Sequence, residues 1–175
     1  DQNVFLIDPF NGINDIEKKI FRHVSSAFSE DPLRAIRVAR FKSYEHLNEF
    51  NLASDTDSAL REIVESEEIS KLSMDRIWSE IRRALQNAHS SEFFRMLINF
   101  KMNKYFLPSL KKTECISTKN EKIKWAELQQ KNNFDLGGKL PIPNDFSGVT
   151  NTLRLISGLD KNDEINELIE LVQEI

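Results

Sequence analysis

Apolar side chains recur every three or four residues along most of this 175-residue chain, a period that helices satisfy and strands do not. Leu33, Ile36, Val38, Ala39 and Phe41 form one stripe, and Ile77, Trp78, Ile81 and Leu85 form another. Phe93, Phe94, Leu97 and Ile98 form a third. Residues suited to starting helices precede these stripes. Asp31 suits an N-cap and Pro32 the first helical position, where a missing N–H costs nothing, so a helix is expected from there to about His46. Asn14 or Asp15 is expected to cap a short helix through His23. Ser54 heads one through Glu65, Ser73 one from Met74 to about Asn87, and Ser90 or Ser91 the next. A short segment holding Tyr105, Phe106 and Leu107 stops at Pro108, and residues 109–118 read as a linker. Further helices are expected over 119–131, 144–157 and 162–174. The best strand candidate is Val-Phe-Leu-Ile at 4–7, ended by Asp8-Pro9 and the Asn11-Gly12 turn. The expected fold class is all-α, a helical bundle or superhelix with one short N-terminal strand.

Composition narrows the function classes. The chain is 39% hydrophobic and 30% charged, which suits a globular protein, and no apolar run approaches the roughly 18 residues that span a membrane. No basic segment leads into an apolar stretch, so no secretory signal is read. Cys115 is the only cysteine, which excludes an internal disulfide and favours a reducing compartment, the cytoplasm. The chain starts at Asp1 rather than Met, so a piece of something longer is expected. The net charge of −4 hides segregation. Residues 54–70 are acidic, whereas Arg76, Arg82, Arg83, Arg95, Lys101, Lys104, Lys111 and Lys112 face only Glu80 and Glu92 over 76–112. Such a middle is either a polyanion track or a set of solvated helix faces.

The segment Ser-Glu-Asp-Pro-Leu-Arg at 29–34 places Asp31 and Arg34 three residues apart, on one face at a helix start. Locally, Asp31 caps and Arg34 pairs with a carboxylate. The pair also has the chemistry to read a base. Cytosine and adenine present an amine donor beside a ring-nitrogen acceptor. An ionised aspartate only accepts and an arginine only donates, so the two match. Guanine and uracil reverse that order. Each group left buried and unpaired costs about 1–3 kcal/mol, so two mismatches discriminate on the order of 10³-fold.

Four stretches taken in order resemble a known family. They are IDPFNGINDI at 7–16, FRHVSSAFSEDPLRAIRVARF at 21–41, MDRIWSEIRRAL at 74–85 and FFRMLINFKMNKYFLPSL at 93–110. Together they resemble the bacterial class II tRNA nucleotidyltransferase (CCA-adding) and poly(A) polymerase family over roughly residues 4–110. The resemblance implies residues 1–28 as a connector from the catalytic head, 29–110 as a helical neck and 111–175 as a reduced helical body. It implies that Asp8, Gly12 and Asp15 belong to the joining segment. It implies that Glu30, Asp31 and Arg34 form the nucleotide-selecting E-D-x-x-R motif. Asp75, Arg76 and Glu80 match the supporting E-R-I-x-x-E motif, with Asp75 in place of its first glutamate. Arg37 and Arg40 orient the readers or bind phosphate, or form salt bridges inside the neck. Arg82, Arg83, Arg95, Lys101 and Lys104 are the candidate contacts to the tRNA acceptor end. ATP and CTP are the implied substrates.

The family's catalysis needs metal-binding carboxylates in a D-x-D motif, with Mg2+ expected in the head. Asp55-Thr56-Asp57 has that spacing but follows the reader motif and opens a helix, where acids serve the dipole. Gly137-Gly138 leads into Lys139-Leu140-Pro141 and is no phosphate loop. No catalytic or metal-binding residue is therefore expected in this chain, and the head is expected upstream. IKWAELQQ at 123–130 and KLPIPNDF at 139–146 resemble the flanks of a phosphohydrolase domain, but His23, His46 and His89 all lie upstream and no His-Asp pair exists. Trp125, Phe134 and Phe146 are core or RNA-stacking residues, with core favoured. The expected function is the nucleotide-selecting and tRNA-binding portion of an enzyme that adds C and A to tRNA 3′ ends. The alternatives are a poly(A) polymerase or A-adding relative, and a non-catalytic helical RNA-binding scaffold.

Overall fold

The computed structural model describes residues 6–114 and 120–158. Its α-helices there are α1 Gly12–Glu17, α2 Leu33–Phe41, α3 Ser54–Glu65, α4 Met74–Leu85, α5 Ser90–Asn99, α6 Glu121–Lys131 and α7 Asn144–Gly158. The helix expected over 162–174 and Cys115 lie outside the described residues. Short 3-10 turns at Ser26–Glu30, Glu68–Lys71 and Met102–Tyr105 join the helices.

The sheet is minimal. Strand β1, Ile20–Phe21, pairs in parallel with β2, Asn51–Leu52, with Ile20 opposite Asn51 and Phe21 opposite Leu52. It does not fall at 4–7. Leu6 and Ile7 are irregular and exposed, and residues 4 and 5 are outside the described set. An apolar run becomes a strand only where a partner satisfies its N–H and C=O groups. That partner exists for 20–21, where Asn51 donates to the Lys19 carbonyl at 2.8 Å and Ala53 to that of Phe21 at 3.0 Å.

Two helices are shorter than their periodicity suggests. α1 begins at Gly12, capped by the Asp8 carboxylate rather than by Asn14 or Asp15, and it cannot run on to His23 because Lys19 takes a left-handed φ of 53° before β1. α2 stops at Phe41 instead of His46. The buried Ser43 hydroxyl donates to the Arg40 carbonyl at 2.6 Å, and Asn87 and His89 hold Ser43 from outside at 3.0 and 3.1 Å. A serine hydroxyl that takes a helix carbonyl competes with the helical ladder. Ser73 does cap α4, accepting from the Arg76 N–H at 3.4 Å. α3 starts one residue early, with Ala53 as its cap and no side-chain bond from Ser54.

The core forms where α4 meets its neighbours. Ala35 and Ala39 on α2 are fully buried, and their small size lets α4 and α5 approach closely. Ile77, Ile81, Ala84 and Leu85 from α4 and Phe93, Phe94 and Leu97 from α5 fill the space with no exposed surface. Burying one such side chain contributes about 1.5–3 kcal/mol. The same core runs into the C-terminal part. Trp78 of α4 meets Trp125 of α6 edge to face at 5.1 Å and Phe146 of α7 at 5.2 Å. Trp125 and Phe146 are thus core. Phe134 is not; it is half-buried at φ 57°, with the Arg154 guanidinium 5.0 Å from its ring.

The stretch expected to be a plain linker is pinned. The Asn132 carboxamide accepts from the N–H groups of Lys111 and Lys112 at 2.9 and 3.0 Å and donates to the Lys112 carbonyl at 2.9 Å. Gly138 explains itself here: a Cβ on it would lie 2.0 Å from the Phe106 carbonyl oxygen.

Candidate functional site

The start of α2 is built around Asp31. Its backbone is extended, at φ −121° and ψ 102°, and Pro32 turns the chain into the helix. Its Oδ1 accepts from the Leu33 N–H at 3.1 Å, which satisfies one of the helix's orphan donors. The guanidinium of Arg76, from the first turn of α4, donates through Nη2 to both carboxylate oxygens, at 3.2 and 3.0 Å. An ionised carboxylate offers about four acceptor positions. Three of these contacts are made, two on Oδ1 and one on Oδ2, so Oδ2 retains acceptor capacity. Asp31 is only half-buried, so that capacity is reachable.

Arg34 is fastened too. Its Nη1 donates to the Ala27 carbonyl of the preceding 3-10 turn, and its remaining N–H groups have no partner among the described residues. Glu30 and Arg37 are exposed, and neither makes an ion pair among the described residues. Asp75 is exposed beside Arg76 and likewise makes none.

At the other end of α2, Arg40 is buried. Its Nε donates to Glu80 Oε2 of α4 at 2.6 Å, and both side chains are under a tenth exposed. Nη1 donates to the Tyr44 hydroxyl, and the rings of Phe41 and Tyr44 lie 4.9 and 5.5 Å from the guanidinium carbon. Arg83 reaches the other Glu80 oxygen at 3.5 Å. This ion pair locks α2 onto α4, the helix that supplies Arg76.

The connector is held by carboxylates. Asp8 accepts from the N–H groups of Gly12 and Ile13 at 2.7 and 3.0 Å, and these bonds hold its pKa below the usual aspartate value. Buried Asp15 accepts from Arg22 Nε at 2.8 Å, and Arg22 also reaches Asp55 at 3.4 Å. The two aspartates raise the Arg22 pKa, Asp15 foremost. Asp57 pairs with Arg61 at 2.7 Å, and Thr56 accepts from the His23 N–H at 3.0 Å. Both aspartates of the D-x-D spacing are therefore engaged by arginines, and among the described residues no group of three His, Cys, Asp or Glu side chains could hold a metal ion. No described helix is long and apolar enough to cross a membrane.

Comparison with known proteins points one way. A family model described as "Probable RNA and SrmB-binding site of polymerase A" matches residues 49–113. The multifunctional CCA protein of Mannheimia succiniciproducens is 38% identical over 104 residues, which is 59% of this chain and 25% of that protein. That of Acinetobacter baumannii is 40% identical over 110 residues, 63% of this chain and 27% of its own length. Over about 60% of its length the chain is thus similar to multifunctional CCA proteins, and residues 49–113 carry the RNA-binding pattern of that family model. It matches about a quarter of the length of these curated relatives. The fold agrees. The Thermotoga maritima CCA-adding enzyme, solved with a tRNA, aligns over 95% of this chain and 53% of its own at a TM-score of 0.59 and 15% identity. A tRNA nucleotidyltransferase solved with a primer tRNA and an incoming ATP analog aligns over 94% of this chain and 46% of its own, at 0.56 and 22%.

Against the family pattern, the structure brings Asp31 and Arg76 together, and Arg40 with Glu80. The candidate RNA contacts fare differently. Arg82 pairs with Glu121 at 2.9 Å, Arg83 with Glu80, and Arg95 with Glu92. Lys104 lies over the Tyr105 ring at 4.6 Å, and Lys101 stands exposed at a left-handed turn. Sequence reasoning missed Arg22, Tyr44 and Asn132. Each has partners remote in sequence or of an unremarkable type, and no motif marked it.

Proposed function

We propose that this chain is the nucleotide-selecting and tRNA-binding portion of a tRNA nucleotidyltransferase, whose whole protein adds C and A to tRNA 3′ ends. The observation that carries the proposal is the start of α2. Asp31 and Arg34 are each fastened on one side, by Arg76 and the Ala27 carbonyl, and each keeps hydrogen-bonding capacity on the other. An acceptor-only and a donor-only group on one rigid helix start suit the amine and ring nitrogen shared by cytosine and adenine. Glu30 and Arg37 flank them. Arg40, Glu80, Asp8, Asp15 and Asp75 belong to the surrounding frame. The names of the relatives and the tRNA and ATP analog bound in a structural neighbour support the same reading.

The described residues do not fit a metal site. The divalent ions that activate a 3′ hydroxyl and neutralise a triphosphate are assigned to carboxylates elsewhere in the whole protein. The test is Arg34→Ala in the full-length enzyme. Preference for CTP and ATP over GTP and UTP is expected to fall by roughly 10–100-fold, the worth of one of the two mismatches, with tRNA affinity changed less. A variant that rejects GTP and UTP as well as the parent overturns the assignment.

A second reading, a poly(A) polymerase or A-adding relative, is favoured by the family model's own description. Products formed on a tRNA lacking its CCA end separate the two: a CCA end supports the first reading and an A-only tail the second.

A further inference from the structure

Three of the five cations first expected to meet RNA already hold carboxylate partners within the chain. Arg82, Arg83 and Arg95 each have a carboxylate partner, and the Arg82 guanidinium also lies 5.8 Å from the Phe146 ring. A charge already neutralised by a neighbour gains less from a phosphate. A different set of cations stands unpaired. Lys111, Lys112 and Lys131 line one cavity of about 470 Å³ with Asn132 and Asp135, and none of the three lysines has an ion-pair partner among the described residues.

The backbone of this cavity is fixed. Asn132, 92% buried, holds the N–H groups of Lys111 and Lys112 and donates to the carbonyls of Lys112 and Leu128, at 2.8–3.0 Å. Ser109 donates to the Leu136 carbonyl at 3.0 Å. Two consecutive lysines are thereby held against the end of α6, where Lys131 sits. Asp135 is the one acid in the lining, and it accepts from the Gly137 N–H at 2.8 Å. Three lysines against one aspartate leave the lining positive. It contains no aromatic ring and no arginine fork, the groups that stack on or read bases. Lysine acts as a point charge on a flexible stem, suited to phosphate without regard to sequence.

Building on the tRNA-binding reading above, we propose that Lys111, Lys112 and Lys131 form the principal phosphate-backbone site for the RNA. The paired arginines of α4 and α5 serve structure instead. The experiment is salt-dependent binding of a fluorescent tRNA lacking its CCA end to the full chain. The triple variant Lys111→Gln/Lys112→Gln/Lys131→Gln is expected to lose tenfold or more in affinity near physiological salt. Its slope of log affinity on log salt should shrink by about 2–3, from roughly 0.7–0.9 per phosphate contact. Arg95→Gln should change affinity less than threefold, and replacing the three lysines by arginine should keep the slope. Wild-type-like binding by the glutamine triple, or an equal loss in the arginine triple or in Arg95→Gln, overturns the site while leaving the tRNA reading intact. Absence of tRNA binding by the unaltered chain overturns both.

Discussion

Arg34 and Arg40 leave the same helix six residues apart, and their surroundings give them different work. Arg40 is enclosed, with Glu80, the Tyr44 hydroxyl and two aromatic rings accounting for its guanidinium. Arg34 stands at the open end, with one N–H committed to Ala27 and the others uncommitted. A buried charge must be matched completely, because each unmet group keeps its desolvation cost. A half-exposed charge can stay incomplete at little cost, since water fills the gap. Burial thus separates a fastener from the proposed reader, although sequence offers both as arginine at helical spacing.

The sharpest way to break this contrast is to remove one partner at each end. Glu80→Ala leaves Arg40 buried and unpaired and is expected to cost about 3–5 kcal/mol of folding stability. Arg34→Ala is expected to cost less on the same urea titration, about 1 kcal/mol, since this half-buried side chain gives up one hydrogen bond and no ion pair among the described residues. Equal losses would end the distinction. Replacing both partners, as Arg40→Met with Glu80→Leu, should recover most of the loss, because a matched apolar pair carries no stranded charge.

A smaller effect sits one step behind the proposed reader. Arg76 and Asp31 are 51% and 32% exposed, so Arg76→Ala should change stability by no more than about 1 kcal/mol. It frees the Asp31 carboxylate to rotate. Discrimination between CTP and UTP in the whole enzyme should therefore fall by tenfold or more, about 1.4 kcal/mol. Unfolding and nucleotide competition, run on the same variant, separate the two effects. A stability loss that matches Glu80→Ala, with selectivity kept, would place Arg76 among the fasteners.

The sequence made the helices legible because their faces are periodic, and Ser73 and Asp31 worked as start signals because capping is local chemistry. Helix ends were less legible. α2 stops at Phe41 because Ser43 is gripped by Asn87 and His89 from another part of the chain. No window of sequence contains that. The Asp31–Arg34 pair was visible as a motif, but Arg76 reaches it across 45 residues, and only the fold shows which oxygens it takes. The basic run over 76–112 was visible as charge, yet the acids that neutralise Arg82 and Arg83 come from α6 and from one helical turn away. Strand pairing at 20–21 was missed because two residues carry no pattern.

The cap contact of Asp31 and its proposed reading role can be parted by substitution. Asp31→Ala removes the cap on the Leu33 N–H and should cost about 1 kcal/mol. Asp31→Asn keeps a capping oxygen and should cost only a fraction of that. Asparagine also carries amide donors, so it no longer presents acceptors alone to a base amine. A variant with near-parental melting but relaxed nucleotide choice locates the reading function in the charge. Two variants that lose stability and selectivity together would reduce Asp31 to a cap.

The smallest expected effect is at α1, where a half-buried carboxylate does a cap's work alone. The Ile13 and Gly12 N–H bonds hold the Asp8 pKa below its ordinary 3.8, so the folded state binds its proton less readily than the unfolded chain. The sign follows. Stability from this cap is fully present above about pH 4 and is lost as pH falls through the lower folded value. Acid titration followed through the amide signals of Gly12 and Ile13 should show α1 loosening below the usual aspartate range, with α2 and α4 unmoved at that point. Asp8→Asn should abolish that titration while leaving the Arg40–Glu80 end untouched. If Gly12 and Ile13 titrate identically in the variant, some carboxylate other than Asp8 holds α1, and the connector is not fastened by its own first turn.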